Sequence, residues 1–173
     1  MNKKSAISRR LESCIPLYMQ KDYEGCLVHL FPALDKTAKL RMPKGKVGER
    51  IKNFINDQHT IITYVATGNS IGALVVDGVT LPDAIYKFGR NPIAHEGELD
   101  PRLQITEDGM MSISDIWILP STFILGLIIS VITAKENTTD TINGDFAVTI
   151  NGNKFKLNEL FGMEDHFRKT QLP

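Results

Sequence analysis

The sequence predicts a mainly α-helical protein, a bundle of four or five helices with small β-hairpin additions. Over most of residues 5–136, apolar residues recur every three or four positions, which is the spacing of one buried helix face. Asp-Gly and Asn-Gly pairs interrupt β-prone runs near 103–113 and 145–157, and such pairs are typical of tight hairpin turns. We therefore expect one domain over 1–173, with a C-terminal hairpin and short helix at 145–169 packed on the helical core.

Three helices are predicted in the first part of the chain. The first covers residues 5–20, and the second begins near Asp22, a favourable N-cap residue. Pro16 and Pro32 lie inside these helices and should bend or split them, because proline has no backbone N–H. The third covers about 47–65. The short apolar sequence "SIGALVVDG" that follows fits a helical turn and a strand equally well.

Two further helices and a hairpin are predicted in the second part. One helix covers about 80–89, and a long apolar helix covers about 116–136. The uncharged part of that apolar stretch is short for a membrane span and contains Pro120, so a buried helix of the bundle is the better interpretation. In the C-terminal hairpin, a turn at Asn151-Gly152 pairs Val148 with Phe155 and Phe146 with Leu157, which places four apolar side chains on one face.

Charge and cysteine content restrict the function classes. The chain has 20 basic and 20 acidic residues, so a nucleic-acid partner would need a local basic patch. Cys14 and Cys26 are too few for a disulfide framework and lie in apolar helical patterns, so we expect them to be buried thiols of a cytoplasmic protein. No apolar run follows the basic N-terminus, which is unlike a signal peptide. The histidines lack metal-ligand spacing, and we expect no metal.

The sequence "GRNPIAHEG" combines residues suited to phosphate chemistry. Arg90 offers a planar fork of donors for phosphate oxygens, and His95 is a side chain that exchanges protons near neutral pH. If Asn91 caps a new helix that starts at Pro92, the free N–H groups after it would form an anion site. The proline would also let Arg90 and His95 converge. This combination suits cleavage of RNA, whose 2′-OH is an internal nucleophile.

These residues resemble the R-x4-6-H signature of the HEPN superfamily (higher eukaryotes and prokaryotes nucleotide-binding). In that signature the residue after the arginine is characteristically polar, as Asn91 is. The resemblance implies a HEPN-like helical bundle and a metal-independent endoribonuclease without a cofactor. It also implies a homodimer that brings two copies of Arg90 and His95 into one cleft. Toxin or antiviral members imply an antitoxin or other protein partner. Inactive members imply the alternative of a helical module that binds nucleotide, RNA or protein.

Several other residues are candidates for supporting roles. Glu96 would stabilise a charged His95, although a solvated side chain is the simpler interpretation. Asp35 either pairs with Lys39 one helical turn later or faces Arg90. A basic stretch around it is either a solvated helix end or a track for the RNA backbone. The candidate RNA-binding residues of this track are Lys39, Arg41, Lys44 and Lys46. A purely structural role for Arg90 and His95 is a further possibility.

Overall fold

A computed structural model describes residues 4–172 and shows a mainly α-helical protein with small β-sheets, which confirms the predicted fold class. Its first half is built from two pairs of consecutive helices. These are α1 (Ala6–Met19), α2 (Tyr23–Arg41), α3 (Val47–Asp57) and α4 (His59–Thr67). A helical run over residues 81–95 follows. This run contains α5 (Leu81–Ala84) and α6 (Asn91–His95). The last α-helices are α7 (Thr122–Thr133) and α8 (Glu164–Gln171).

The helical hairpin of α1 and α2 follows the sequence pattern closely. Asp22 caps α2, and its Oδ1 accepts a hydrogen bond of 2.9 Å from the backbone N–H of Gly25. Pro16 and Pro32 lie inside α1 and α2, yet neither residue ends its helix. The apolar faces of the two helices are buried against each other and the rest of the core.

The predicted third helix is interrupted at Gln58. This residue leaves helical geometry with φ −90° and ψ 3°, so α3 ends at Asp57 and α4 begins at His59. The apolar stripe that predicted one helix is present on both sides of the interruption, and Gln58 is a fully buried polar residue within it. Periodicity of apolar residues does not register a break of one residue, which is why the sequence predicted a continuous helix.

The segment that fitted both a helical turn and a strand forms a small hairpin. Strand β1 (Val75–Val76) pairs antiparallel with β2 (Val79–Thr80). Asp77 and Gly78 connect the two strands with positive φ angles of 49° and 76°, as a tight hairpin turn requires.

The predicted hairpin near 103–113 is wrong. Strands β3 (Leu103–Thr106) and β4 (Ser112–Ile113) do not pair with each other, because β5 (Trp117–Pro120) lies between them. β5 is parallel to β3 and antiparallel to β4. Its alternate residues Trp117 and Leu119 are buried, and burial of these large side chains favours β5 as the central strand. The apolar run assigned to one long helix is therefore a strand followed by a helix.

Helix α7 is the centre of the core. Ten of its twelve residues are buried, and its Gly126 packs against the backbone of α4. A Cβ atom on Gly126 would lie 2.6 Å from the carbonyl oxygen of Ile62, so only glycine permits this close approach. No helix within residues 4–172 is long and apolar enough to cross a membrane.

The C-terminal segment packs on this core. Strands β6 (Ala147–Ile150) and β7 (Asn153–Lys156) form the predicted hairpin, with Val148 opposite Phe155. The ring of Phe155 lies 6.0 Å from the ring of Phe167 in α8. The backbone N–H of Gly162 donates a hydrogen bond of 3.0 Å to the carbonyl of Ile132 in α7. The hairpin and α8 are therefore attached to the central helix.

Arg41 joins the end of α2 to the C-terminal segment. Its guanidinium donates bonds of 2.9 and 2.8 Å to Glu136 and of 2.5 Å to Glu164, and lies 5.0 Å above the ring of Phe54. Only 15% of the Arg41 side chain is exposed. Burial raises the pKa of the Glu164 carboxyl, but the charge and hydrogen bond of Arg41, together with hydrogen bonds from the Lys135 backbone and the Gln58 side chain, outweigh it and lower that pKa below its ordinary value.

Arg41→Ala should lower the free energy of unfolding by about 3 kcal/mol, because the loss of Arg41 leaves the charge of Glu136 uncompensated and leaves Glu164 with only Arg168, at 3.4 Å. Denaturation at neutral pH measures this loss. Lys39→Ala is the matched control: Lys39 is exposed on the same helix, and its substitution should change stability by less than about 0.5 kcal/mol. Equal stabilities of the two variants would contradict a stabilising role for the ion cluster.

The same cluster predicts the direction of a pH effect. Since the pKa of Glu164 is lower in the folded protein than its ordinary value of 4.5, the cluster stabilises the protein above that value. The stabilisation is lost as the pH falls through the folded-state pKa. We expect the wild type to lose more stability on acidification below about pH 4.5 than Arg41→Ala does.

The two cysteines form a buried pair. The Sγ atoms of Cys14 and Cys26 lie 2.9 Å apart, and both side chains are fully buried. The hydrogen bond with Cys26, and then burial, raise the pKa of the Cys14 thiol well above its usual range. Since the thiolate is the reactive form, the native protein should resist iodoacetamide, and mass spectrometry should find two alkyl groups only after denaturation. Rapid alkylation of the native protein would contradict this burial.

Candidate functional site

The candidate motif lies in one continuous helical run. Helix α5 (Leu81–Ala84) passes into a π-helical segment (Ile85–Arg90) and then into α6 (Asn91–His95). Asn91 has helical φ and ψ angles of −66° and −51°, and its backbone N–H donates to the carbonyl of Tyr86. The prediction that Asn91 caps a new helix is therefore wrong. Because no helix begins at Asn91, the predicted anion site at a free helix N-terminus is wrong as well.

Pro92 is the physical reason for the π-helical segment. In a regular α-helix, its ring would clash with the carbonyl of Phe88 four residues earlier, and it has no N–H to donate. A π-helical turn spaces the backbone more widely and accommodates the proline without ending the helix. The carbonyl of Phe88 instead accepts a hydrogen bond of 3.0 Å from the backbone N–H of Asp100. The proline therefore converts one turn of a continuous helix to π-helical geometry. The sequence had predicted that a separate helix starts at this point.

Arg90 is half-buried at the end of the π-helical segment. Its Nη1 donates a hydrogen bond of 3.1 Å to Oδ1 of Asn91, and its guanidinium carbon lies 5.9 Å from the ring centre of Tyr86. Within residues 4–172, no carboxylate forms an ion pair with Arg90. Asn91 orients a guanidinium whose other N–H groups are available to a ligand.

Arg90 lines a pocket of about 340 Å³ between α1, α2 and α6. Arg10 of α1 contributes a second guanidinium to the pocket, which we call the Arg10–Arg90 pocket. The rest of its lining is mainly apolar and comes from α2 and α6. The apolar wall includes Val28, Phe31, Pro32 and Ile93.

Asp35 lines this pocket as well, but its carboxylate is engaged by Arg50. Arg50 Nε donates a bond of 2.7 Å to Asp35 Oδ1, and Nη2 donates a bond of 3.0 Å to Oδ2. Asp35 therefore pairs with neither Lys39 nor Arg90, which were the two partners considered from the sequence. Because Arg50 neutralises the one acidic side chain of the lining, the pocket carries the positive charge of Arg10 and Arg90.

Arg10 and His29 are the site residues that sequence reasoning missed. Arg10 Nη1 lies 3.2 Å from Nδ1 of His29. Since a guanidinium is only a donor, His29 Nδ1 accepts this bond and the imidazole is neutral. Burial and then the charge of Arg10 lower the pKa of His29. The sequence held no signal for Arg10: it lacks an acidic residue three or four positions away, but so do Arg41 and Arg50, which both form ion pairs with distant carboxylates.

His95 is exposed at the end of α6, and no hydrogen bond joins it to Arg90 within the described chain. The preceding residue, Ala94, lines the Arg10–Arg90 pocket, so His95 lies beside the pocket and not within its lining. Glu96 is also exposed. Gly97 ends the helix with a φ of 83°, as the sequence predicts.

The predicted basic track is only partly available. Arg41 does not belong to it, because the ion cluster with Glu136 and Glu164 engages its guanidinium and buries it. Lys39, Lys44 and Lys46 are exposed and form no ion pair within residues 4–172. Lys39 stands one helical turn after Asp35 on α2, whereas Lys44 and Lys46 lie in the connection between α2 and α3.

Comparison with known proteins identifies the family to which the chain belongs. Residues 6–171 match the sequence profile of the Rv1289 family. An uncharacterised protein of Mycobacterium tuberculosis, Rv1289, and one of Mycobacterium bovis, Mb1320, are each 25% identical to this chain over 174 residues. The alignments cover 87% of this chain and 80% of each relative. No solved structure matches the chain. Since the profile spans the helical core, the candidate site and α8, the chain belongs to the Rv1289 family.

Proposed function

We propose that the protein is a HEPN-like endoribonuclease that cleaves RNA in the cytoplasm without a metal or cofactor. One observation carries the proposal: Arg90 is half-buried and forms no ion pair within residues 4–172, whereas Arg41 and Arg50 are engaged in ion pairs. Arg90 is also followed, one residue beyond the pocket lining, by an exposed histidine at position 95. RNA cleavage needs a cation that can bind the phosphate, here Arg90, and an accessible group that can transfer a proton, here His95.

Arg90 is the residue that binds the scissile phosphate. Asn91 accepts one of its N–H bonds and fixes the orientation of the guanidinium. The other N–H groups then form charge-assisted hydrogen bonds with the nonbridging phosphate oxygens. Their interaction strengthens as negative charge develops on those oxygens in the transition state.

His95 is the general base. It removes the proton of the RNA 2′-OH, and the 2′-oxygen attacks phosphorus while the bond to the 5′-oxygen breaks. The products are a 2′,3′-cyclic phosphate and a 5′-hydroxyl, which takes up a proton. In a homodimer with its two-fold axis near α6, the second copy of His95 supplies this proton. Glu96 would support the charged form of His95.

The exposed lysines extend the RNA site along the protein surface. Lys39, Lys44 and Lys46 would contact backbone phosphates outside the reacting group, and their contribution should fall as salt concentration rises. A toxin or antiviral defence system, with an antitoxin or another protein as partner, is the biological context that we propose for such an activity.

A second candidate function is the binding of nucleotide, RNA or a protein partner without cleavage. It is favoured by the position of His95 outside the lining of the Arg10–Arg90 pocket. In that case Arg90 and Asn91 would bind a phosphate, and His95 would have no catalytic role.

The test is RNA cleavage in the presence of EDTA. His95→Ala should reduce the cleavage rate by about 100-fold or more, because it removes a general base. His166→Ala is the matched control, since His166 is an exposed histidine of α8, and it should cleave at the wild-type rate. A substrate with 2′-deoxyribose at the cleavage position should resist cleavage.

Three results would count against the nuclease. Cleavage that survives His95→Ala in a folded sample would exclude His95 as the base. Cleavage of the 2′-deoxy substrate would exclude attack by the 2′-oxygen. An intact homodimer that binds RNA and does not cleave it would support the second candidate function instead.

A further inference from the structure

We propose that the Arg10–Arg90 pocket is a ribonucleotide-binding subsite, in which both guanidinium groups hold one phosphate and the apolar wall contacts the attached nucleoside. The inference deepens the proposed function, because it places a bound nucleotide beside His95. It adds Arg10, a residue outside the R-x4-6-H pattern, to the candidate site.

The distribution of ion pairs supports a phosphate ligand. Arg41, Arg50, Arg102 and Arg168 each form an ion pair with a carboxylate. Arg9, Arg10 and Arg90 form none within residues 4–172, and of these three Arg10 and Arg90 line the same pocket. Two neighbouring cations repel each other, and an anion between them removes this repulsion. Arginine is also the side chain whose geometry best fits phosphate oxygens.

Each of the two guanidinium groups donates a hydrogen bond to a neutral acceptor, the exposed Arg10 as well as the half-buried Arg90. His29 accepts a bond from Arg10, and Asn91 accepts a bond from Arg90. These bonds position the side chains without neutralising their charge. A side chain that is already positioned loses less conformational entropy when a ligand binds, which increases affinity.

The apolar wall supports a nucleoside attached to the phosphate. Val28 is 40% exposed and Pro32 is exposed beside it, while the nearly buried Phe31 and Ile93 line the same pocket. A pocket for inorganic phosphate alone would not need this surface. The volume of about 340 Å³ lies at the lower end of the roughly 300–1,000 Å³ found for small-molecule sites. It suits one nucleotide.

The experiment is calorimetric titration of the full chain with 5′-AMP, adenosine and inorganic phosphate. AMP should bind at least about tenfold more tightly than either of the other two, because only AMP uses both the arginines and the wall. Arg10→Ala should weaken AMP binding by about tenfold or more. Arg9→Ala is the matched control: Arg9 is the neighbouring exposed arginine of α1 and lies outside the pocket lining, so its substitution should leave the affinity unchanged.

Equal AMP affinities of Arg10→Ala and Arg9→Ala would overturn the role of Arg10. Inorganic phosphate that binds as tightly as AMP would overturn the role of the wall, and adenosine that does so would overturn the role of the arginines. His95→Ala separates this inference from the nuclease, since it should still bind AMP. AMP binding without RNA cleavage would leave the subsite in place and remove the nuclease, and RNA cleavage without AMP binding would do the reverse.

Discussion

Pro92 lacks a backbone N–H, and this constraint determines the geometry of the candidate site. The helical run over 81–95 contains this proline and widens into a π-helical segment before it. Arg90 ends the widened segment, and the helix continues to His95 without a break. One helical run therefore carries both Arg90, the proposed phosphate-binding residue, and His95, the proposed proton-transfer residue. The bond from Asp100 to the carbonyl of Phe88 ties this run to the chain that follows.

Ion pairing separates the cations that stabilise the fold from those that are free to bind a ligand. Arg41 links α2 to Glu136 and Glu164, and Arg50 links α3 to Asp35. These pairs neutralise partly buried charges, which would destabilise the fold if they had no partner. The whole chain has no net charge, so an anion site needs local positive charge, which cations without an ion pair among residues 4–172 can supply. The Arg10–Arg90 pocket brings two such cations together.

Sequence patterns predicted the helix caps and turns that depend on neighbouring residues. They missed the strand pairing and side-chain contacts that depend on residues far apart in the chain. The cap at Asp22 and the turn at Asn151-Gly152 follow from local chemistry. The insertion of β5 between β3 and β4 is a tertiary pairing, and no local pattern encodes it. At the candidate site, Arg90 and Asn91 belong to the sequence motif, but Arg10 lies on another helix and reaches the pocket only through the packing of α1 on α2. The burial of Arg41 also depends on residues far along the chain.

In the proposed site, Arg10 and Arg90 act together on one phosphate beside His95. A crystal structure of the protein with bound 5′-AMP tests this claim most directly. The expected result is a phosphate within about 3 Å of both guanidinium groups, with the nucleoside against Val28 and Ile93. A phosphate bound instead among Lys39, Lys44 and Lys46, with both guanidinium groups unoccupied, would contradict it.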